Sequence, residues 1–179
     1  LQEFVLILIE WMDQYEFDPH TVELGFGGPS DPVGPWTVAL DSGRIAFMGK
    51  IDRLDVHPSE DDQGAEAVII DYKSGGKKLD PILLYNGVQL QLLAYLNVVS
   101  RLPEIGEHLK TGPLYPAGVF FVPLRGYSPR QPNRDSARLC HTDDRPRAFQ
   151  HVGCFDLSSL RQLDNRSEVQ TGDQIHYQL

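Results

Sequence analysis

The sequence predicts an α/β fold in which a mixed central sheet is flanked by helices. Three observations carry this. An apolar, helix-compatible stretch opens the chain, two β-branched runs around a turn-rich segment form its middle, and a helix start signal at Asp80-Pro81 precedes one further strand-like run.

Residues 1 to 16 are expected to be helical, and Trp11 and Met12 could cap its core face as easily as serve a partner. Gly25 to Pro35 is rich in glycine and proline and is expected to be a loop. Trp36 to Leu40 leads into a turn at Asp41-Ser42-Gly43. Ile45 to Val56 and Ala67 to Lys73 are β-branched, and Pro58 to Gly64 between them is all turn chemistry, so the pair is expected to be an antiparallel hairpin. Asp80 is suited to cap a helix and Pro81 to its first position; the helix is expected to firm up after Asn86-Gly87 and run to about Arg101. Tyr85, Leu92, Leu96 and Val99 are the apolar stripe expected to pack on the sheet. A strand over Val119 to Leu124 follows, then a polar excursion, and the alternating Ile175 to Leu179 is expected to be a strand.

At 179 residues the chain is long enough for one compact core, nothing signals a second domain, and residues 1–179 are treated as a single domain. The apolar run Phe4 to Ile9 is too short to span a bilayer and has no basic leader, so no membrane association is expected and the cytoplasm is the default location. The absence of an initiator methionine and the strand-like end suggest a piece of a larger protein.

The chemistry concentrates between Gly49 and Tyr95. If the hairpin folds symmetrically about Asp61 and Asp62, Asp52 falls opposite Asp71. Directly opposed residues have Cβ atoms about 4.5 to 5.5 Å apart, and every second residue keeps the same face, so Asp52, Asp71 and Lys73 would project together. Two adjacent carboxylates repel each other, and a divalent cation removes that cost while supplying a Lewis acid. Mg²⁺, with Mn²⁺ as a substitute, suits a site of few carboxylates and several waters. Lys73 would then donate to a scissile phosphate or to the attacking water. An isolated Asp-x-Lys is far more often a plain surface ion pair, but Val68-Ile69-Ile70 ahead of Asp71 argues for burial, where charges need partners. Gln91 and Tyr95, four residues apart, share a helix face, and a tyrosine there serves a core as readily as a site. Arg53 and Asp55 fit an ion pair just outside the site better than a catalytic role.

Four segments, Gly49-Lys50-Ile51-Asp52-Arg53-Leu54-Asp55, Ile69-Ile70-Asp71-Tyr72-Lys73-Ser74-Gly75, Leu90-Gln91-Leu92-Leu93-Ala94-Tyr95-Leu96 and Pro116-Ala117-Gly118-Val119-Phe120-Phe121, resemble the RecB-like branch of the PD-(D/E)xK nucleases in order and spacing. The resemblance is strongest to the nuclease domain of the B subunit of AddAB-type ATP-dependent helicase-nucleases. It implies a restriction-endonuclease-like core, metal binding by Asp52 and Asp71, a catalytic role for Lys73, and supporting roles for Gln91 and Tyr95. It further implies Mg²⁺-dependent exodeoxyribonuclease activity in double-strand-break repair and recombination, with DNA and a helicase-nuclease subunit as partners. The family's additional upstream residue has no clear counterpart, although Glu23 matches an early family glutamate and is a candidate for a metal ligand or for a structural role. Members of the B-subunit type also hold an iron-sulfur cluster on four cysteines; with two cysteines this chain cannot complete one.

Composition pulls the other way. The formal charge is −9, from 16 basic and 25 acidic residues, which opposes capture of a polyanion. Lys73, Lys77 and Lys78, and Arg125, Arg130, Arg134 and Arg138, are local basic clusters that soften this, although the arginine loop fits a solvated segment equally well. A nuclease-fold module that has lost its chemistry and guides a strand is the competing class; retention of Asp52, Asp71 and Lys73 together favours the enzyme. Cys140-His141 with His151 and Cys154 could form a tetrahedral zinc site, but the spacing departs from paired knuckles. The glycines at Gly25, Gly27 and Gly28 are not followed by the lysine and helix of a nucleotide-phosphate loop.

Overall fold

The structure, a computed structural model, describes residues 2–59, 63–75, 79–126, 146–164 and 172–177. In chain order its elements are α1 (Gln2–Trp11), β1 (Asp18–Phe26), β2 (Trp36–Leu40), β3 (Gly43–Phe47), β4 (Gly49–Pro58), β5 (Ala65–Lys73), α2 (Pro81–Tyr85), α3 (Gln91–Arg101), α4 (Pro103–Leu109), β6 (Leu114–Pro123), β7 (Val152–Phe155) and α5 (Leu160–Asp164). The central sheet has the order β1-β4-β5-β6-β7. Among the described strands of this sheet, β5 and β6 are the one parallel pair. Parallel neighbours need a long crossover, and the segment carrying α2, α3 and α4 supplies it.

The sheet is mixed and flanked by helices, as expected, and each face has its own apolar layer. Ile69, Val119 and Phe121 pack with Leu92, Val98 and Val99 of α3. Val68, Ile70, Phe120 and Val122, one residue out of phase, pack with Phe4, Ile7 and Trp11 of α1 and with Leu160 and Leu163 of α5. β5 is thus buried on both sides, which is why Val68-Ile69-Ile70 is a continuous apolar run rather than an alternating one. Each such side chain contributes about 1.5 to 3 kcal/mol by leaving water, and an unpaired charge at the fully buried Ile69 would forfeit that and add a desolvation cost.

Several elements differ from expectation. The first helix ends at Trp11 rather than residue 16, because Tyr15 and Phe17 turn inward to contact β4 and the core. Ile45 to Val56 is not one strand: it breaks at Met48, where the chain leaves a separate hairpin of β2 and β3, closed by stacked Trp36 and Phe47 rings 4.8 Å apart, and enters the central sheet. Gly25 and Phe26 belong to β1, an edge strand that the Gly/Pro loop signal obscured. The strand expected from Val119 begins at Leu114. Asp80 does cap α2, its Oδ1 accepting from the backbone of Ile82 at 2.8 Å, and α3 ends at Arg101. Tyr85, however, is 92% exposed, because α2 is a single turn that stands off the sheet. Of the expected terminal strand, Ile175 makes one bridge to His151, and residues 178–179 lie outside the described residues. No helix among the described residues is long and apolar enough to cross a membrane.

Candidate active site

The β4–β5 ladder runs from Pro58↔Ala65 to Arg53↔Ile70, the symmetric register whose next pair would be Asp52 and Asp71. Main-chain pairing stops there. In its place the Asp52 carboxylate accepts a hydrogen bond from the backbone N–H of Tyr72 at 2.9 Å, so the side chain takes over where the ladder ends. Asp52 and Asp71 therefore come from neighbouring strand ends on the register that the turn between them dictates.

Asp71 is 1% exposed, and a carboxylate so placed is tolerated only with partners. Lys73, two residues on and on the same face, forms an ion pair with its Oδ2. Gln91 of α3 donates to Oδ1 at 2.7 Å and accepts from the Lys73 ammonium at 3.2 Å, bridging the two charges. The Lys73 Nζ also lies 5.4 Å from the ring centre of Phe121, on neighbouring β6, where the ring face favours a cation. Gln91 Nε2 further donates to the Tyr95 hydroxyl at 3.3 Å, and that hydroxyl donates to the carbonyl of Lys50 at 2.7 Å. One turn of α3 thus joins β5 to β4 through the four-residue spacing of Gln91 and Tyr95. Tyr95 is also a core residue, packed edge-on against Phe26, so it serves the core and the Gln91 contact at once.

Glu23 does not join this group. It is exposed, adopts a left-handed backbone (φ 54°) between the pairs Val22↔Arg53 and Leu24↔Ile51, and forms an ion pair with Lys50 at 2.8 Å. That hydrogen bond, and the Glu23 charge, raise the Lys50 pKa. Arg53 and Asp55 form the expected ion pair, through Nε to Oδ1 at 2.6 Å and Nη2 to Oδ2 at 2.7 Å. Tyr15 donates to the same carboxylate at 2.7 Å, and Arg53 reaches the Tyr72 hydroxyl at 3.1 Å. Burial pushes the Asp55 carboxyl up against the pull of its partners, and pushes the Tyr15 phenol up with it. Neither the Phe121 contact nor the Tyr15–Asp55–Arg53–Tyr72 chain is legible in the sequence; the only local sign is a charged pair inside an apolar strand.

Of the four residues of the zinc alternative, His151 and Cys154 are among the described residues. His151 is buried, its ring edge-on to Trp11 and its Nδ1 paired with Gln174, while Cys154 is exposed. Cys140 and His141 lie outside the described residues, as do Lys77, Lys78, Arg130, Arg134 and Arg138. Arg125 is exposed.

Among the described residues no group of three or more His, Cys, Asp or Glu side chains is arranged to hold a metal. Asp52 and Asp71 remain as a two-carboxylate donor set of hard oxygens, which fits an ion that keeps most of its waters, as Mg²⁺ does. Near them stand a lysine held in place by Asp71 and Gln91 and a tyrosine fixed to the neighbouring strand.

Residues 3–172 match the family model of the PD-(D/E)XK nuclease superfamily. Among similar proteins, the B subunit of the ATP-dependent helicase/deoxyribonuclease of Anoxybacillus flavithermus is 42% identical over 119 residues, covering 66% of this chain and 10% of that protein. The proteins of the same name from Geobacillus kaustophilus and Lacticaseibacillus casei are 32% and 31% identical over 85% and 87% of the chain, and over 13% of their own length in both cases. The chain spans about a tenth of the length of these relatives. With two strand-borne acids, a lysine and a helix-borne glutamine where the β4–β5 ladder ends in the middle of its mixed sheet, the chain belongs to the PD-(D/E)XK nuclease superfamily.

Proposed function

We propose that this chain is a Mg²⁺-dependent deoxyribonuclease domain, a single domain that hydrolyses DNA phosphodiesters exonucleolytically as part of a helicase-nuclease acting in double-strand-break repair and recombination. The observation that carries the proposal is the buried Asp71 held between Lys73 and Gln91, with Asp52 at the adjoining strand end. A charge cluster of this kind is costly to keep in a scaffold and useful in a catalyst.

Asp52 and Asp71 would hold the ion. Bound there, it would supply Lewis-acid polarisation of the phosphate and lower the pKa of a coordinated water. Lys73 would donate a hydrogen bond to the non-bridging phosphate oxygen whose charge grows as water attacks. Gln91 holds the Lys73 ammonium and the Asp71 carboxylate at a fixed separation, and Tyr95 anchors Gln91 to β4. The partner would be a helicase-nuclease subunit that delivers the DNA strand, which offsets the weak affinity that a net charge of −9 confers. Any iron-sulfur cluster would belong to the full-length polypeptide and draw on cysteines beyond the two present here.

The test is a gel assay with Mg²⁺ and linear DNA on the chain alone and on the full-length polypeptide with its helicase partner, each beside an Asp71→Ala control. The expected result is little cleavage by the chain alone at physiological salt and clear, Asp71-dependent cleavage by the assembly. No cleavage by the assembly, or cleavage indifferent to Asp71, would favour the strand-guiding module instead.

A further inference from the structure

Tyr72, the residue between Asp71 and Lys73, is held by two consecutive residues of β4. Its backbone N–H donates to the carboxylate of Asp52 at 2.9 Å, and its hydroxyl accepts from Arg53 Nη1 at 3.1 Å. The two contacts lie just past Arg53↔Ile70, where the main-chain ladder between β4 and β5 has ended. Arg53 is itself fixed by its two-point pairing with Asp55, which is 0% exposed and further held by Tyr15. A planar guanidinium can satisfy a carboxylate through two nitrogens and still present a third to a neighbour, which an ammonium cannot do in the same geometry.

A buried ion pair rarely adds stability over an apolar pair of the same size, and its best-supported use is to specify one arrangement. We infer that Arg53 and Tyr72 form a positioning clasp on the side of the sheet facing α1: by gripping the Tyr72 phenol, Arg53 holds the end of β5 against β4, and so sets the separation of the Asp52 and Asp71 carboxylates. Arg53 and Tyr72 touch neither metal nor substrate; they act through the strand ends. The inference rests on the reading of Asp52 and Asp71 as a metal pair, but the clasp itself is a statement about geometry and can be read without a metal.

Tyr72→Phe removes the hydroxyl and leaves Arg53 paired with Asp55. Hydrogen exchange of the full chain, followed across β5, should show the residue 72 amide opening on the order of tenfold faster while Val68 to Ile70 keep their protection, a local opening rather than a global one. Calorimetric titration with Mn²⁺ should show affinity weakened on the order of tenfold or more, the usual cost of losing a group that orients a metal-binding residue, with the melting temperature nearly unchanged. Arg53→Lys, which keeps a charge for Asp55 but loses the fork, should reproduce both changes. Unaltered exchange at residue 72, unaltered Mn²⁺ affinity in Tyr72→Phe, or faster exchange spread evenly over β5 would overturn the clasp. Failure of the wild-type chain to bind Mn²⁺ in an Asp71-dependent way would instead remove the metal-site reading, and the exchange experiment would still decide the clasp.

Discussion

Gln91 Nε2 donates to Asp71 Oδ1 at 2.7 Å, joining the first turn of α3 to the buried end of β5. The same side chain accepts from Lys73, so one amide orients both the acid and the base of the Asp-x-Lys segment. An amide can do this because it carries a donor and an acceptor on one rigid group; a carboxylate at position 91 would repel Asp71.

Gln91→Ala should therefore do two separable things. It takes this donor away from a buried carboxylate oxygen, which costs about 1 to 3 kcal/mol of stability. It also releases Lys73, so cleavage by the assembled enzyme should fall on the order of tenfold to a hundredfold, the scale seen when an orienting partner is removed. Denaturant melts and a cleavage assay on the same variant check both. Loss of stability with full activity would show that Gln91 serves the fold alone.

Asp71→Ala should abolish measurable binding of Mn²⁺ or Mg²⁺, with Asp52→Ala close behind, because each removes one of two anionic ligands. Calorimetric titration is the check, and wild-type affinity in either variant would disprove the metal assignment. Circular dichroism guards against an unfolded sample, since Asp71 lies in a strand buried on both faces.

Lys73→Ala should spare metal and DNA binding and reduce cleavage on the order of two powers of ten or more, the scale for one electrostatic donor. Helicase activity of the assembly should persist. Cleavage at the wild-type rate would reduce Lys73 to a partner for the Asp71 charge.

His151 predicts an acid sensitivity of the fold. Burial, and secondarily the charge of Arg53, pushes its pKa down to about 3. The unfolded chain takes up this proton near the ordinary value of 6.5, and the folded protein does not. Stability should therefore decline as the pH falls below about 6.5 and continue to decline toward about 3, by at most about 1.4 kcal/mol per pH unit for one proton. Burial raises the Asp55 and Asp164 carboxyls, whose contributions run in the opposite sense, retained at low pH and lost as the pH rises through their folded values. Both groups are common to the wild type and His151→Gln, so the difference between their denaturation curves at pH 7 and pH 4.5 isolates His151. An equal loss in the two proteins would contradict the assignment.

The geometry of Asp52, Asp71 and Lys73 was present in the sequence because it depends on local rules. A turn-rich segment between two β-branched runs sets a symmetric register, alternation along a strand puts Asp71 and Lys73 on one face, and helical spacing puts Gln91 beside Tyr95. The flanked mixed sheet followed from the same periodicities. Only the tertiary structure decided the rest, because those outcomes turn on which distant groups satisfy one another. Glu23 pairs with Lys50 rather than joining the acids, and the strand expected through Met48 breaks because β3 pairs with β2 while β4 pairs with β1. Tyr85 faces outward although it continues the apolar spacing, since it lies not on α3 but on α2, a single turn with no buried residue. Arg53 and Asp55, adjacent to the site in sequence, are tied through Tyr15 and Tyr72 into a buried chain, since a charge inside a sheet must find its partners in three dimensions.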